Sequence, residues 1–268
     1  MQQEIGARGT AFTRAVSPRL AECALTHLDR VPIDAAKAAE QHRDYERALQ
    51  AAGFAVVRLP DLPEHPDGVF VEDTAIILDD HAIITRPGAA SRAGEVDSTA
   101  AGLADHFQIH RIEAGHVDGG DVLRIGRKIH VGLSTRSDAQ GIAELKQLAG
   151  RLGFEVEAAE LRGCLHLKTA TTLAGRDSSG RPVLLYNPEA LDPRQFAGVD
   201  PLPVPADELY AANVLWAGEH VIMPAKYPTT ASLLRERGVQ VTQIDVAELE
   251  KAEAGVTCMS LVSETAAR

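Results

Sequence analysis

Residues 70–88, FVEDTAIILDDHAIITRPG, read as a strand, a polar turn at Asp79-Asp80-His81 and a second strand, because β-branched apolar residues flank the turn on both sides. The stretch that follows, AGEVDSTAAGLADHF, has helical apolar spacing from Val96 to Leu103. The same order returns in HVDGGDVLRIGRKIHVGLSTRS (116–137), which turns at Gly126-Arg127 and leads into an amphipathic helix, SDAQGIAELKQLAGRLG, ending at Gly153. A third hairpin, LHLKTATTLAGRDSSGRPVLLYN (165–187), widens its turn into a Gly/Ser loop. A fourth, AANVLWAGEHVIMPAKYP (211–228), tightens it around Gly218-Glu219 before the helix TTASLLRERG. Short apolar segments (AVVRLP, FQIHRIE, FEVEAAEL, PLPVPA and VQVTQIDV) lie between helices and hairpins and fit a further strand per unit, so each unit resembles a βαββ module. The last hairpin, GVTCMSLVSETAAR (255–268), supplies one strand; in a closed ring its partner is expected from TAFTRAVSP (10–18).

Each unit places one chemically useful residue beside its first apolar run: Asp73, Asp118, His166, Asn213 and Cys258. Successive intervals are 45, 48, 47 and 45 residues. Five similar units that present their first strand to a common centre would give this spacing, and would bring Asp, His and Cys together. Asn213 takes no role from the sequence.

The bulk numbers exclude several classes. At 268 residues, 45% hydrophobic and 24% charged, the chain suits one globular α/β domain spanning 1–268. No apolar run reaches the length of a membrane span, and the start, MQQEIGARGTAFTRAVSP, lacks a signal-peptide core. Three cysteines (Cys23, Cys164, Cys258) without metal-ligand spacing point to a reducing, cytoplasmic home. A net charge of −11 repels nucleic acid and attracts small cations.

Chemistry concentrates at the anchors. Cys258 follows Gly255 and Thr257 in the register of Asp73, Asp118 and His166, where an imidazole can activate a thiol and a carboxylate can orient the imidazole. Asp118 suits that third role. Glu72 and Asp73, with Asp67 upstream, gather negative charge that can hold a planar guanidinium by paired hydrogen bonds. Arg86, Arg92 and Arg136 can bind a carboxylate by bidentate contact. Cys23 and Cys164 read as buried small hydrophobes. His106 and His110 have the i, i+4 spacing of metal ligands but no third ligand nearby, and read as a helix end. The Gly119-Gly120 step belongs to no nucleotide-binding fingerprint.

Taken in order, FVEDTAIIL, ITRPGAASR, HVDGGDVL, VGLSTRS, LHLKT and LEKAEAGVTCMSLV resemble the dimethylarginine dimethylaminohydrolases (dimethylargininases) of the guanidine-modifying, amidinotransferase-type superfamily, over nearly the whole chain. The resemblance implies a five-bladed α/β propeller with pseudo-fivefold symmetry, the pentein fold. It implies Cys258 as nucleophile, His166 as general acid/base and Asp118 as the residue that orients His166, where some relatives carry Glu. It further implies substrate contacts from Leu25 in a flap, Asp67, Glu72, Asp73, Arg92, Arg136 and Ala252, with no metal and no organic cofactor. The implied reaction converts methylated arginine to citrulline and an amine through a Cys thiouronium. A homodimer is compatible with the family. Deiminase or amidinotransferase chemistry on arginine or another guanidine is the nearest rival. Arginine deiminases usually carry an extra helical insertion that this compact chain cannot hold, and Arg92 with Arg136 argues against agmatine. A non-catalytic propeller that binds ribosomal partners would need no Cys, His and carboxylate at three ring positions.

Overall fold

The computed structural model of the protein describes residues 9–264; the end of the last expected hairpin, residues 265–268, lies outside them. In chain order the regular elements are β1 (Gly9–Thr13), α1 (Ala35–Ala51), β2 (Phe54–Arg58), β3 (Ala75–Leu78), β4 (His81–Ile84), α2 (Val96–Leu103), β5 (Gln108–Arg111), β6 (Val122–Ile125), β7 (Lys128–Gly132), α3 (Ala139–Arg151) and β8 (Glu155–Ala159). There follow α4 (Leu167–Ala170), β9 (Thr171–Arg176), β10 (Pro182–Tyr186), β11 (Asp200–Pro203), β12 (Leu215–Ala217), β13 (His220–Pro224), α5 (Pro228–Glu236), β14 (Gln240–Ile244), α6 (Ala247–Glu250) and β15 (Leu261–Ser263).

Among the described residues these strands form five three-stranded sheets: β3-β4-β5, β6-β7-β8, β9-β10-β11, β12-β13-β14 and β15-β1-β2. One pairing rule holds in all five. The first strand runs antiparallel to the second, and the second parallel to the third. An antiparallel pair needs only a tight turn, whereas a parallel pair needs a crossover, which α1, α2, α3 and α5 supply. Tight turns are made where the chain can enter the left-handed region, at Asp79 (φ 55°) and Gly126 (φ 63°). Asp138 starts α3 by accepting from the Gly141 amide at 2.8 Å, and Ile142, Leu145 and Ala149 form its buried face.

The third unit departs from the expected module. Its crossover holds only a 3-10 turn, Pro193–Gln195, because Pro188 and Pro193 lie in the short span between β10 and β11 and disfavour helix propagation. The His106–His110 segment is also not a helix end: His106 lies in a turn after α2, and His110 lies in β5 with its Nε2 3.1 Å from His81 Nδ1.

The last sheet draws β15 from the C-terminal side and β1 from TAFTRAVSP, as expected, with Thr10 opposite Ser263 and Phe12 opposite Leu261. Tyr45 on α1 reinforces the seam through a 2.6 Å hydrogen bond between its hydroxyl and Ser260 Oγ. The first strands β3, β6, β9, β12 and β15 all contribute walls to one cavity of about 470 Å³. No described helix is long and apolar enough to cross a membrane.

Phe12 on β1 is fully buried in a cluster with Leu59, Val71, Ile84, Leu103 and Leu261, so it ties the terminal sheet to its neighbour. Phe12→Ala is expected to lower the unfolding free energy by about 3–5 kcal/mol. Urea denaturation checks this, and a loss below about 1 kcal/mol would show that the seam does not depend on this packing.

Candidate active site

The five anchors do not open strands as the sequence reading expected; they sit in the short turns just before them. Asp73 lies in the 3-10 turn Val71–Thr74, Asp118 precedes Gly119–Asp121, His166 precedes α4, Asn213 follows Leu209–Ala212, and Cys258 lies in Thr257–Met259. Tight turns expose amides and carbonyls at the strand ends, and here buried side chains satisfy them. The Gly120 amide donates to Asp73 Oδ1 at 2.9 Å, and the Leu167 amide to Asp121 Oδ1 at 2.9 Å. Asn213 Nδ2 donates to Lys168 O at 2.9 Å and to Thr257 Oγ1 at 3.0 Å, while Asn213 Oδ1 accepts from the Thr257 amide at 3.2 Å. Thr257 Oγ1 donates to Glu72 Oε2 at 2.8 Å, which returns to the first turn. The five turns are thus linked in a ring. The Gly119-Gly120 step serves close approach: a Cβ on Gly120 would lie 2.7 Å from His166 Nδ1 and 2.8 Å from Asp73 Oδ1.

Inside this ring His166 Nε2 lies 3.1 Å from Asp118 Oδ2 and 3.9 Å from Asp73 Oδ1. Asp118 is fully buried and is itself held by the Gly88 amide at 2.9 Å. Burial alone would depress the His166 pKa, but Asp73, the Asp118 hydrogen bond and Asp121 oppose it and raise the value to about 9. His166 is therefore an imidazolium near neutral pH. Asp73, Asp118 and His166 also offer ligand atoms within 4.8 Å of one another, and metal binding there would require the imidazole to lose its proton.

Cys258 packs, partly buried, against the apolar cluster that includes Ala252 and Leu25, and its Sγ accepts from the Gly255 amide at 3.4 Å. Burial, then Glu72 and Asp73, push its thiol up to about 12. Glu72 is buried and raised above the usual carboxylate range by desolvation, partly offset by Lys168, whose Nζ donates to Glu72 Oε1 at 2.6 Å. For Asp73 the desolvation penalty is outweighed by His166 and Arg92, and its pKa falls. Burial raises Asp67, which accepts from the Ala24 amide at 3.1 Å beside Leu25.

The arginines divide. Arg136 is nearly buried, donates to Thr26 Oγ1 at 3.1 Å and lies 3.7 Å from Asp118. Arg92 is engaged by Asp73, by Glu95 at 2.8 Å, and by the carbonyls of Phe70 and Asp67. Arg86 is not brought to the site: it is exposed and donates to Gly115 O at 3.3 Å. Sequence reasoning missed Lys168, Thr257, Glu95 and Asp121. A signal existed for two of them, since Lys168 falls two residues after His166 and Glu95 three residues after Arg92.

No protein-family model matches the chain. It is 38% identical over 255 residues to the N(G),N(G)-dimethylarginine dimethylaminohydrolase of Streptomyces coelicolor, covering 94% of this chain and 95% of that one. It is 37% identical over 231 residues to the protein of the same name from Pseudomonas aeruginosa, covering 85% and 89%. A solved structure of the Pseudomonas aeruginosa enzyme, a cysteine-to-serine variant complexed with citrulline, superimposes with a TM-score of 0.89 at 34% identity, over 95% of this chain and 98% of that chain.

The His166 imidazole signals are expected to titrate by NMR with a midpoint near 9 in the ligand-free protein. Because the folded-state pKa is raised, the associated stability is complete below about pH 6.5 and is lost as pH rises through 9. A midpoint at or below 6.5 would contradict the carboxylate cage around His166.

Proposed function

The chain belongs to the dimethylarginine dimethylaminohydrolase family, and from this premise we propose that Cys258, His166 and Asp118 hydrolyse the methylated guanidinium of N-omega-methylarginines. The enzyme is a hydrolase of carbon–nitrogen bonds in a guanidino group, and its products are citrulline and methylamine or dimethylamine. The observation that carries the site assignment is the ring of turns itself, which sets His166 3.1 Å from Asp118 and holds Cys258 next to Thr257, whose hydroxyl donates to the buried Glu72. The same ring, with five first strands around one cavity, supports a five-bladed propeller with pseudo-fivefold symmetry in a single domain.

In this mechanism Glu72 and Asp73 hold the guanidinium. Burial, with Glu72 and Asp73, holds the Cys258 thiol near 12; the ligand's positive charge offsets the two carboxylates, so the thiol releases its proton to solvent when the substrate is bound. The thiolate attacks the guanidinium carbon, and the His166 imidazolium donates its proton to the departing amine nitrogen as the carbon–nitrogen bond breaks. A thiouronium remains on Cys258. Neutral His166, oriented by Asp118, then takes one proton from water as the oxygen attacks; as the carbon–sulfur bond breaks, the remaining hydroxyl proton passes to the departing Cys258 sulfur and citrulline leaves. Arg136 meets the α-carboxylate, a role supported by its place beside Thr26 and Asp118. Arg92 reaches it only by exchanging one of its present partners. Leu25, Asp67 and Ala252 complete the pocket wall.

Asymmetric dimethylarginine and monomethylarginine should yield citrulline with dimethylamine or methylamine, followed by mass spectrometry, with little turnover of arginine or agmatine. Cys258→Ser should lower kcat by about three orders of magnitude or more while leaving the circular dichroism and melting curve unchanged. Turnover retained in that variant, or arginine consumed in preference, would overturn the proposal.

A further inference from the structure

Building on the active-site assignment above, we propose that Glu253 is the latch of the substrate flap, a positioning residue that sets how tightly substrate is held. After the 3-10 turn Leu20–Glu22 the chain runs without regular structure past Leu25 to Leu28. Three consecutive amides of this run converge on one carboxylate. The Thr26 amide donates to both Glu253 oxygens at 3.0 and 2.9 Å, the Leu28 amide to Oε1 at 2.5 Å, and the His27 amide to the same oxygen. Successive N–H groups aimed at a single anion form a nest, and each bond is charge-assisted. Among the described residues, Glu253 makes no ion pair; the flap amides are its side chain's partners.

Glu253 is well placed to couple the flap to the chemistry. It follows Ala252 and precedes Cys258 by five residues, so the nest fastens the flap to the segment that carries the nucleophile. Its backbone sits in the left-handed region, φ 58°, which a non-glycine residue adopts only at a cost. Three other side chains hold this loop: Arg30 binds the Cys23 carbonyl at 2.6 Å, Asp67 binds the Ala24 amide, and Arg136 binds Thr26 Oγ1. Asp67 and Arg136 are assigned to substrate contact, so a bound ligand competes for their bonds. Past Leu25, on the stretch from Thr26 to Leu28, Glu253 is the holder that substrate does not compete for. It therefore keeps Leu25 seated against the cluster shared with Ala252 and Cys258 while Asp67 and Arg136 turn to the ligand.

Glu253→Gln keeps the size of the side chain but removes its charge and sets an NH₂ group against flap donors. In this variant KM for asymmetric dimethylarginine should rise about tenfold or more, with kcat unchanged or raised, and Glu253→Asp, which keeps the charge on a shorter arm, should fall between it and wild type. In ligand-free protein, exchange of the amides of Thr26, His27 and Leu28 should quicken about tenfold in Glu253→Gln, while strand amides such as Ile83 and Val131 keep their protection. Unchanged KM with unchanged flap exchange would overturn the proposal, as would a uniform loss of protection with KM and kcat degraded together in both variants. If methylarginine is not turned over by the wild-type protein, the active-site assignment fails by itself, and exchange in the ligand-free protein still decides whether Glu253 latches the flap.

Discussion

The hydrogen-bond ring that joins the five turns is the constraint on which the rest depends. Each link uses a side chain from one turn to satisfy backbone or side-chain groups of another: Asp73 for Gly120, Asp121 for Leu167, Asn213 for Lys168 and Thr257, and Thr257 for Glu72. Ionised carboxylates buried in a protein interior cost several kcal/mol each, a cost offset when both of their oxygens are bonded in good geometry. The ring meets that demand. Glu72 is held by Lys168 and Thr257, Asp73 by Arg92 and Gly120, and Asp121 by Ser134, Ser137 and Leu167. Removal of a member takes one partner from a buried neighbour, so the same bonds that order the fold also fix the groups of the proposed site.

The electrostatic consequence is a site in which proton positions depend on the ligand. Carboxylates around His166 hold it protonated against the effect of burial, whereas burial, joined by Glu72 and Asp73, holds the Cys258 thiol protonated. The carboxylates contribute to both effects, which have opposite value. A protonated imidazole is ready to serve a departing amine, whereas a protonated thiol is inert until positive charge arrives. In the proposed mechanism a guanidinium supplies that charge, so activation of the thiol accompanies occupation of the site.

Much of the architecture was legible because hairpin turns and helix caps are written locally. Asp79-Asp80, Gly126-Arg127 and Gly218-Glu219 mark turns that the structure contains, and the partner of β15 falls in the N-terminal segment that spacing pointed to. Asp73, Asp118 and His166 meet, as their intervals implied. The third crossover was misjudged because a Pro-rich span between strands satisfies a parallel connection without a full helix. Arg86 was placed near the site by its neighbourhood in TRPG, yet it lies past the end of β4, where its guanidinium donates to the Gly115 carbonyl. Asn213 had no role in the sequence because its partners, Lys168 and Thr257, are 45 and 44 residues away. Glu253 was invisible for the same reason, its flap amides lying more than two hundred residues earlier.

The central claim is that Cys258 becomes covalently attached to the guanidino carbon during turnover. Acid quenching of the wild-type protein during steady-state hydrolysis of asymmetric dimethylarginine, followed by peptide mass spectrometry, tests it most directly. The account predicts an adduct confined to the peptide bearing Cys258, with the mass of citrulline less one water, absent from Cys258→Ser. Full turnover with no adduct under any quench, or an adduct on Cys23 or Cys164 instead, would contradict it.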